Sequence, residues 1–189
     1  MEMLDKGALL TSVKLLAMDV DGVLTDGTLG YDEAGREQKR FHVADGMGLT
    51  ALRMAGIQVA WLSGRDSLAV WKRARELRVS HVRQGVRDKG RALSEIAALL
   101  NLPKSAVAFV GDDWNDLLAF EAAGLRIAVR NADAEVCRAA DLITERSGGH
   151  GAIREVCDAL LQSQGLKDDT LSRYLDSLKD AHADDSSGQ

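Results

Sequence analysis

Only two cysteines occur among the 189 residues, Cys137 and Cys157, and they form no Cys-x-x-Cys pair. This speaks against a disulfide framework and suits thiols kept reduced inside packed helices, as in a cytoplasm. Basic charge is not in excess either: 24 Lys and Arg stand against 29 Asp and Glu, a formal net charge of -5. A general binder of nucleic acid or of anionic membranes would show the opposite balance. No apolar run is long enough to span a bilayer. The opening Met1-Glu2-Met3-Leu4-Asp5-Lys6 lacks the cationic and long apolar segments of a signal peptide. There is no internal repeat and no low-complexity tract. The expectation is a cytoplasmic protein with neither a nucleic-acid nor a membrane partner.

What is present is an ordinary globular composition, 46% hydrophobic and 28% charged, in a length suited to one domain with a sizeable core. Residues 1–13 carry a short apolar patch that predicts a lead-in helix. Residues 13–18, broken only by Lys14, read as a buried strand bounded by a turn. Residues 27–43 predict a projecting β-hairpin around the turn-rich 32–35. Asp45 is expected to cap a helix that reaches about Ala55 and stops at Gly56. From there strands over 57–62, 79–82, 106–110, 127–129 and 142–143 alternate with helices over 67–77, 88–100, 115–123, 134–139 and 153–162. Such alternation predicts an α/β fold built on a doubly wound parallel sheet. The domain is expected to cover residues 1–165, followed by a tail over 166–189. Leu171, Tyr174, Leu175 and Leu178 recur there at helical spacing, so the tail should hold an amphipathic helix whose leucine face docks on a neighbour. Residues 181–189 are polar and expected to be disordered.

Polar chemistry gathers at the predicted strand exits. Asp19-Val20-Asp21-Gly22 ends the first strand, with Thr25 just beyond. Ser63-Gly64-Arg65 ends the second, Lys89 opens a helix, and Gly111-Asp112-Asp113-Trp114-Asn115-Asp116 follows the fourth. In a parallel sheet these exits face one crevice. Two carboxylates as close as Asp19 and Asp21 repel unless a cation or a shared proton relieves them. Carboxylates, a hydroxyl, a lysine and a helix N-terminus together suit a divalent cation and a phosphoryl group. A calcium loop of the EF-hand type does not fit, because Val23 and Leu24 stand where an oxygen ligand and a glycine are needed.

The four motifs, in this order, resemble the haloacid dehalogenase superfamily of phosphotransferases, whose fold is Rossmann-like. The resemblance implies that Asp19 is the nucleophile, forming an aspartyl-phosphate, and that Asp21 protonates the leaving alkoxide and then activates water. It implies Mg²⁺ held by Asp19, the Asp21 main-chain carbonyl and Asp112, with Asp116 supporting or ligating through water. Ser63 and Lys89 would bind the phosphoryl oxygens. Caps in this superfamily are inserted between the Asp21 and Ser63 regions or between the Ser63 and Lys89 regions. Neither interval has room for one here. The site is therefore open to a large substrate or covered by a neighbouring subunit.

Three stretches narrow the likeness: Arg40-Phe41-His42-Val43-Ala44-Asp45-Gly46-Met47-Gly48, Ser63-Gly64-Arg65, and Ser147-Gly148-Gly149-His150-Gly151 with the helix after it. Together they are similar to the capless 3-deoxy-D-manno-octulosonate 8-phosphate phosphatases. Those are homotetramers of lipopolysaccharide precursor synthesis, in which projecting hairpins pack together and a neighbour helps close the site. Carried over residue by residue, the likeness implies substrate contacts from Arg65, Thr25, Arg40 and Gly64, and a 148–151 loop near a neighbour's site. Trp114-Asn115-Asp116-Leu117 also resembles the nonulosonate (sialic-acid-type) 9-phosphate phosphatases, so the sugar stays open between the two. A phosphatase of macromolecules is disfavoured by the lack of a basic groove. A non-catalytic regulatory homologue is disfavoured by the intact Asp19, Asp21, Lys89 and Asp112.

Plainer readings stand beside these. Ser63 could be a turn residue and Asp113 only a cap. Lys89 and Arg91 could be solvated helix charges, and Arg65 could pair with a nearby carboxylate. Arg36, Lys39 and Arg40 read as a solvated hairpin face. His42 and His150 read as hydrogen-bonded structural residues, since no ligand spacing surrounds them. Trp61, Trp71 and Trp114 are expected in the core or at subunit contacts.

Overall fold

The computed structural model describes residues 3–186. Helix α1 (Met3–Ser12) leads into strand β1 (Leu15–Met18), whose four residues are all buried. Four consecutive apolar residues covered on both sides are what a central parallel strand requires. The chain then forms the hairpin strands β2 (Gly30–Tyr31) and β3 (Glu37–Gln38), helix α2 (Val43–Met54) and strand β4 (Gln58–Leu62). Next come α3 (Leu68–Glu76), β5 (His81–Arg83), α4 (Lys89–Leu99) and β6 (Val107–Gly111). A single 3-10 turn (Trp114–Asp116) leads into α5 (Leu117–Ala122), and β7 (Leu125–Ala128), α6 (Ala134–Ala139) and β8 (Leu142–Ile143) follow. Helices α7 (Ala152–Ser163) and α8 (Lys167–Ser186) close the described chain.

Six parallel strands lie in the order β5-β4-β1-β6-β7-β8, and the hairpin is a separate two-stranded pair. From β1 the chain builds outward through β4 and β5, then returns to add β6 on the opposite side. That reversal beside β1 is the position where open α/β sheets bind ligands. Met18 sits level with both Trp61 of β4 and Val110 of β6. The residues that follow β1, β4 and β6 therefore emerge side by side.

Alternation along β1 divides the core between the two faces of the sheet. Leu16 and Met18 join Leu49 and Leu52 of α2 and Val156 and Leu160 of α7. Leu15 and Ala17 join Leu93 and Ile96 of α4 and Phe120 of α5. Among the described residues, the intervals after β1 and after β4 hold no cap domain. The first contains the hairpin, α2 and β4, and the second only α3 and β5. No described helix is long and apolar enough to cross a membrane.

Two expectations, on Asp45 and on the tail, are corrected. Helix α2 starts at Val43 with extended His42 at its N-cap, so Asp45 does not cap it. Asp45 is buried in the first turn and accepts the N–H of Arg154 at 2.8 Å, tying α2 to the start of α7. The hairpin expected over 27–43 is present, its strands two residues long and paired as Gly30 with Gln38 and Tyr31 with Glu37. Asp32 closes the turn between them, its carboxylate accepting the N–H groups of Ala34 and Arg36. Helix α8 runs to Ser186, past the point where disorder was expected to begin, while residues 187–189 lie outside the described residues. It packs on α2 and α7, with Thr170 buried and Leu171, Leu175 and Leu178 exposed.

Candidate active site

The pairing of β1 with β6 continues one residue beyond the strand, where the Asp19 N–H reaches Val110 O at 3.0 Å. The chain then folds back, and the N–H groups of Leu24 and Thr25 both reach Val20 O at 3.0 Å. The Thr25 hydroxyl is buried inside this loop. It accepts the N–H groups of Gly22 and Gly27, each at 3.3 Å, and donates to Val20 O at 3.4 Å. Thr25 thus shapes the loop from within. Gly22, at φ 94°, has no room for a side chain, since a Cβ there would overlap the Asp112 carboxylate. Glycine is what lets the loops after β1 and β6 close on each other.

Lys89, at the first position of α4, reaches into the crevice between these loops. Its Nζ lies 2.8 Å from Asp19 Oδ1 and 2.7 Å from Asp116 Oδ1. The second oxygen of Asp116 accepts the N–H of Asp112 at 2.9 Å and that of Asp113 at 3.4 Å. Asp113 returns the favour at the start of the turn, where its carboxylate accepts the Trp114 N–H at 2.7 Å. This reciprocal cap holds the loop in a single shape.

One ammonium here faces three carboxylates. Ligand oxygens of Asp19, Asp112 and Asp116 all lie within 4.8 Å of one another. Burial, reinforced by the Asp116 charge and opposed by Lys89, pushes the Asp19 carboxyl up to about 7. Burial, reinforced by Asp19 and Asp116, pushes Asp112 up to about 8. Burial alone would lower Lys89, but its two carboxylate partners outweigh that and hold it above its ordinary value. Asp112 Oδ1 is buried with no hydrogen-bond partner among the described residues. An orphaned carboxylate oxygen in a cluster of hard oxygen donors with surplus negative charge fits a divalent cation.

Asp21 sits at the same crevice, half-buried. Ser63, fully buried at the end of β4, donates its hydroxyl to Asp21 Oδ2 at 3.2 Å and accepts the Arg65 N–H at 3.1 Å. Lys39 Nζ donates to the other oxygen of Asp21 and to Glu37 Oε1, the latter at 2.9 Å. Only 2% of the Lys39 side chain is exposed, so the reading of Lys39 as a solvated hairpin charge is wrong. The two-residue spacing of Glu37 and Lys39 carried the missed clue, since alternate residues of an extended segment face the same side.

Asp19, Asp21, Ser63, Lys89, Asp112 and Asp116 thus converge, while the remaining candidates lie at the margin. Gly64 and Arg65 are exposed. The Arg65 guanidinium bonds Glu37 Oε1 at 3.1 Å and the Tyr31 hydroxyl at 3.3 Å, so it meets the hairpin. Arg40 is exposed, and Arg36 pairs with Asp32 at 2.7 Å. The Asp26 carboxyl is held low by the hydroxyl and the N–H of Thr28, with small contributions from His150 and Arg40. His42 Nδ1 is buried without a partner among the described residues. Trp61 is fully buried, whereas Trp71 and Trp114 are exposed, and the Trp114 indole N–H is fixed by Asp133 at 2.8 Å. The 148–151 loop packs on this chain's own β1 exit: Gly149 N–H meets Val23 O at 3.0 Å, and a Cβ on Gly148 would overlap Gly22 O.

The pattern that defines haloacid dehalogenase-like hydrolases matches residues 81–156. A 3-deoxy-D-manno-octulosonate 8-phosphate phosphatase of Haemophilus influenzae is 41% identical over 172 residues, 90% of this chain and 96% of that protein. The crystal structure of the Moraxella catarrhalis enzyme of the same name, in complex with magnesium ion, phosphate ion and a KDO molecule, superposes with a TM-score of 0.88. It is 41% identical, with 92% of this chain and 99% of that one covered. The cobalt-bound Haemophilus influenzae structure gives a TM-score of 0.81 at 42% identity, covering 83% of this chain and 92% of that one.

Proposed function

The chain belongs to the haloacid dehalogenase-like hydrolases, among the 3-deoxy-D-manno-octulosonate 8-phosphate phosphatases, and we propose that it hydrolyses that sugar phosphate to the free sugar acid and phosphate. One observation carries the chemistry: Asp19 is held by the buried Lys89 at 2.8 Å, beside an Asp112 oxygen with no partner among the described residues. A carboxylate approaches a phosphate dianion only where positive charge offsets their repulsion.

In the proposed sequence an Asp19 oxygen attacks phosphorus as the bond from phosphorus to the sugar oxygen breaks. Asp21, having first taken a proton from solvent, gives it to that departing oxygen, an acid contribution worth roughly 10²–10⁴ in rate. Asp21 then takes a proton from the water that attacks the aspartyl-phosphate, releasing phosphate and restoring Asp19. Lys89 holds a phosphoryl oxygen, while the Ser63 hydroxyl, whose one proton is given to Asp21, keeps that acid in place. Asp19, the Asp21 main-chain carbonyl and Asp112, with Asp116 behind them, would hold Mg²⁺, which would supply charge neutralisation and orientation. Asp116 has both oxygens engaged by Lys89 and by backbone N–H groups. It therefore serves the site by fixing Lys89 and the Asp112 loop.

Arg65, with Gly64 and Arg40, lines the exposed margin where a sugar carboxylate would arrive, and Thr25 contributes by shaping the loop beneath it. We further propose a homotetramer in which a neighbour covers the open crevice. In its support, no cap is present among the described residues, and apolar side chains stand exposed around the hairpin and the starts of α2 and α3: Leu29, Tyr31, Val43 and Leu68. The free thiols of Cys137 and Cys157 suit a cytoplasmic enzyme.

Phosphate release from a panel of sugar-acid phosphates, with and without Mg²⁺, tests the reading. The octulosonate 8-phosphate should be turned over best, and only with the metal. Preference for a nonulosonate 9-phosphate would replace the substrate, and release from no member would end the enzymatic reading. Light scattering tests the assembly, since a fully active monomer would contradict closure by a neighbour.

A further inference from the structure

Lys39 is a buried charge at the site that has no task in the mechanism above. Its ammonium touches one oxygen of Asp21 and lies 2.9 Å from Glu37 Oε1, with 2% of its side chain exposed. Asp21 is gripped from the other side by Ser63 at 3.2 Å. Both carboxylate oxygens are therefore held, one from the end of β4 and one from the segment that follows β3. A carboxylate held at both oxygens cannot rotate freely about its own axis, and the direction in which it presents an oxygen is set.

The far end of the grip is anchored as well. Glu37 Oε1 accepts from Lys39 and from Arg65 Nε at 3.1 Å, while Arg65 reaches across to the Tyr31 hydroxyl on the opposite hairpin strand. Asp21, Lys39, Glu37 and Arg65 form a chain of alternating charge with no net excess. Such a chain adds no repulsion toward an anionic substrate, yet it locks the hairpin to the reacting end of the site. A lysine placed merely to attract phosphate would gain more by facing solvent than by lying between two carboxylates.

We propose that Lys39 is a positioning residue that fixes the plane of the Asp21 carboxylate, so that the β-hairpin orients the group delivering a proton to the leaving oxygen. The proposal rests on the reading of Asp21 as that proton donor. Its consequence is selective, because orientation of an acid matters only to a leaving group that needs one. An alkoxide leaving from a sugar needs the proton, whereas p-nitrophenolate leaves without it.

The test compares kcat/KM for 3-deoxy-D-manno-octulosonate 8-phosphate and for p-nitrophenyl phosphate in the Mg²⁺-loaded full chain. That constant covers only the steps up to departure of the leaving group, and the ratio of the two values does not depend on the folded fraction. Lys39→Met should lose about 100-fold on the sugar phosphate, within the range of a general acid, and less than about 3-fold on the aryl ester. Asp21→Asn should show the same selectivity, more strongly. If Lys39→Met yields no folded protein, Lys39→Gln is read in the same way. Equal losses on both esters, or no loss, for the Lys39 variant beside a selective Asp21→Asn would overturn the role of Lys39 and leave the acid in place. A non-selective Asp21→Asn would overturn the acid assignment and the positioning role with it.

Discussion

Lys89 Nζ and Asp116 Oδ1 lie 2.7 Å apart with 1% and 0% of their side chains exposed, and Asp19 Oδ1 completes the contact at 2.8 Å. Lysine is seldom buried this deeply without partners. The pairing accounts for why a cation stands at the start of α4, directly after the Asp88 cap that begins the helix. It also accounts for why Asp116 is buried under a single turn of 3-10 helix. Each charge is tolerated because the other is there.

Removing one partner of such a group leaves the others uncompensated, which typically costs about 3–5 kcal/mol. Lys89→Met is therefore expected to destabilise the metal-free protein by about 3 kcal/mol at pH 8 and to abolish phosphate release. At pH 5 the deficit should shrink, because protonation of Asp19 and Asp112 relieves the surplus negative charge. Urea unfolding at the two pH values measures it. A loss under about 1 kcal/mol at pH 8, the scale of an exposed pair, would mean that the lysine is not structurally coupled to the carboxylates.

The raised Asp19 and Asp112 carboxyls make stability depend on pH in a definite direction. Their folded values, about 7 and about 8, lie above the ordinary 3.8. Between about 4 and 8 the folded state therefore binds more protons than the unfolded state, and stability falls as pH rises. The melting temperature of protein treated with EDTA should drop from pH 5 to pH 8.5, and millimolar Mg²⁺ should restore it most at the upper end. A melting temperature that rises across this window without metal would contradict the crowding of these carboxylates.

Asp19→Asn separates the same crowding from catalysis. The amide keeps the shape and removes one negative charge from the cluster. Phosphate release should disappear, while the metal-free melting temperature at pH 8 should rise above that of the parent. Surviving turnover would remove Asp19 from the role of nucleophile. A lower melting temperature would show that the contact with Lys89 outweighs repulsion from Asp116 and Asp112.

The alternation of strands with helices was legible because the central strands β1, β4 and β6 are short apolar runs closed by Asp19, Ser63 and Gly111, and they bury nearly every residue. The clustering of carboxylates was legible for the same reason, since parallel strands put their exits on one edge. Lys39 was not. Its neighbours Arg36, Gln38 and Arg40 are exposed, and the alternation of Glu37 with Lys39 says that the two share a side without saying that the side is buried. Only the fold-back of the hairpin onto Asp21 buries it. Asp45 misled for a related reason. An acid near a helix start ordinarily caps its own helix, but here the start of α7 lies close enough to claim it. Local patterns read local partners, and these two residues have distant ones.

The contact of the 148–151 loop with the β1 exit gives a last, purely steric prediction. Gly148 donates its N–H to Asn131 Oδ1 at 2.8 Å, and Gly149 donates to Val23 O at 3.0 Å, so the loop is tied on both sides of the approach. A methyl at Gly148 would overlap the Gly22 carbonyl, which is backbone and cannot rotate away. The loop or the turn carrying Asp21 must move, and overpacking of this kind costs about 1–3 kcal/mol. Gly148→Ala should accordingly reduce kcat at least about tenfold, since displacement of a catalytic group by about 1 Å can cost 10²-fold. Gly35→Ala is the control. It sits in the hairpin turn at φ 75° with open space around it, so it bears only the cost of left-handed backbone, about 1–2 kcal/mol. Comparable stability losses with activity lost only in Gly148→Ala would establish that the loop holds the catalytic turn in place. Equal activity in the two variants would show that the turn absorbs the methyl without moving Asp21.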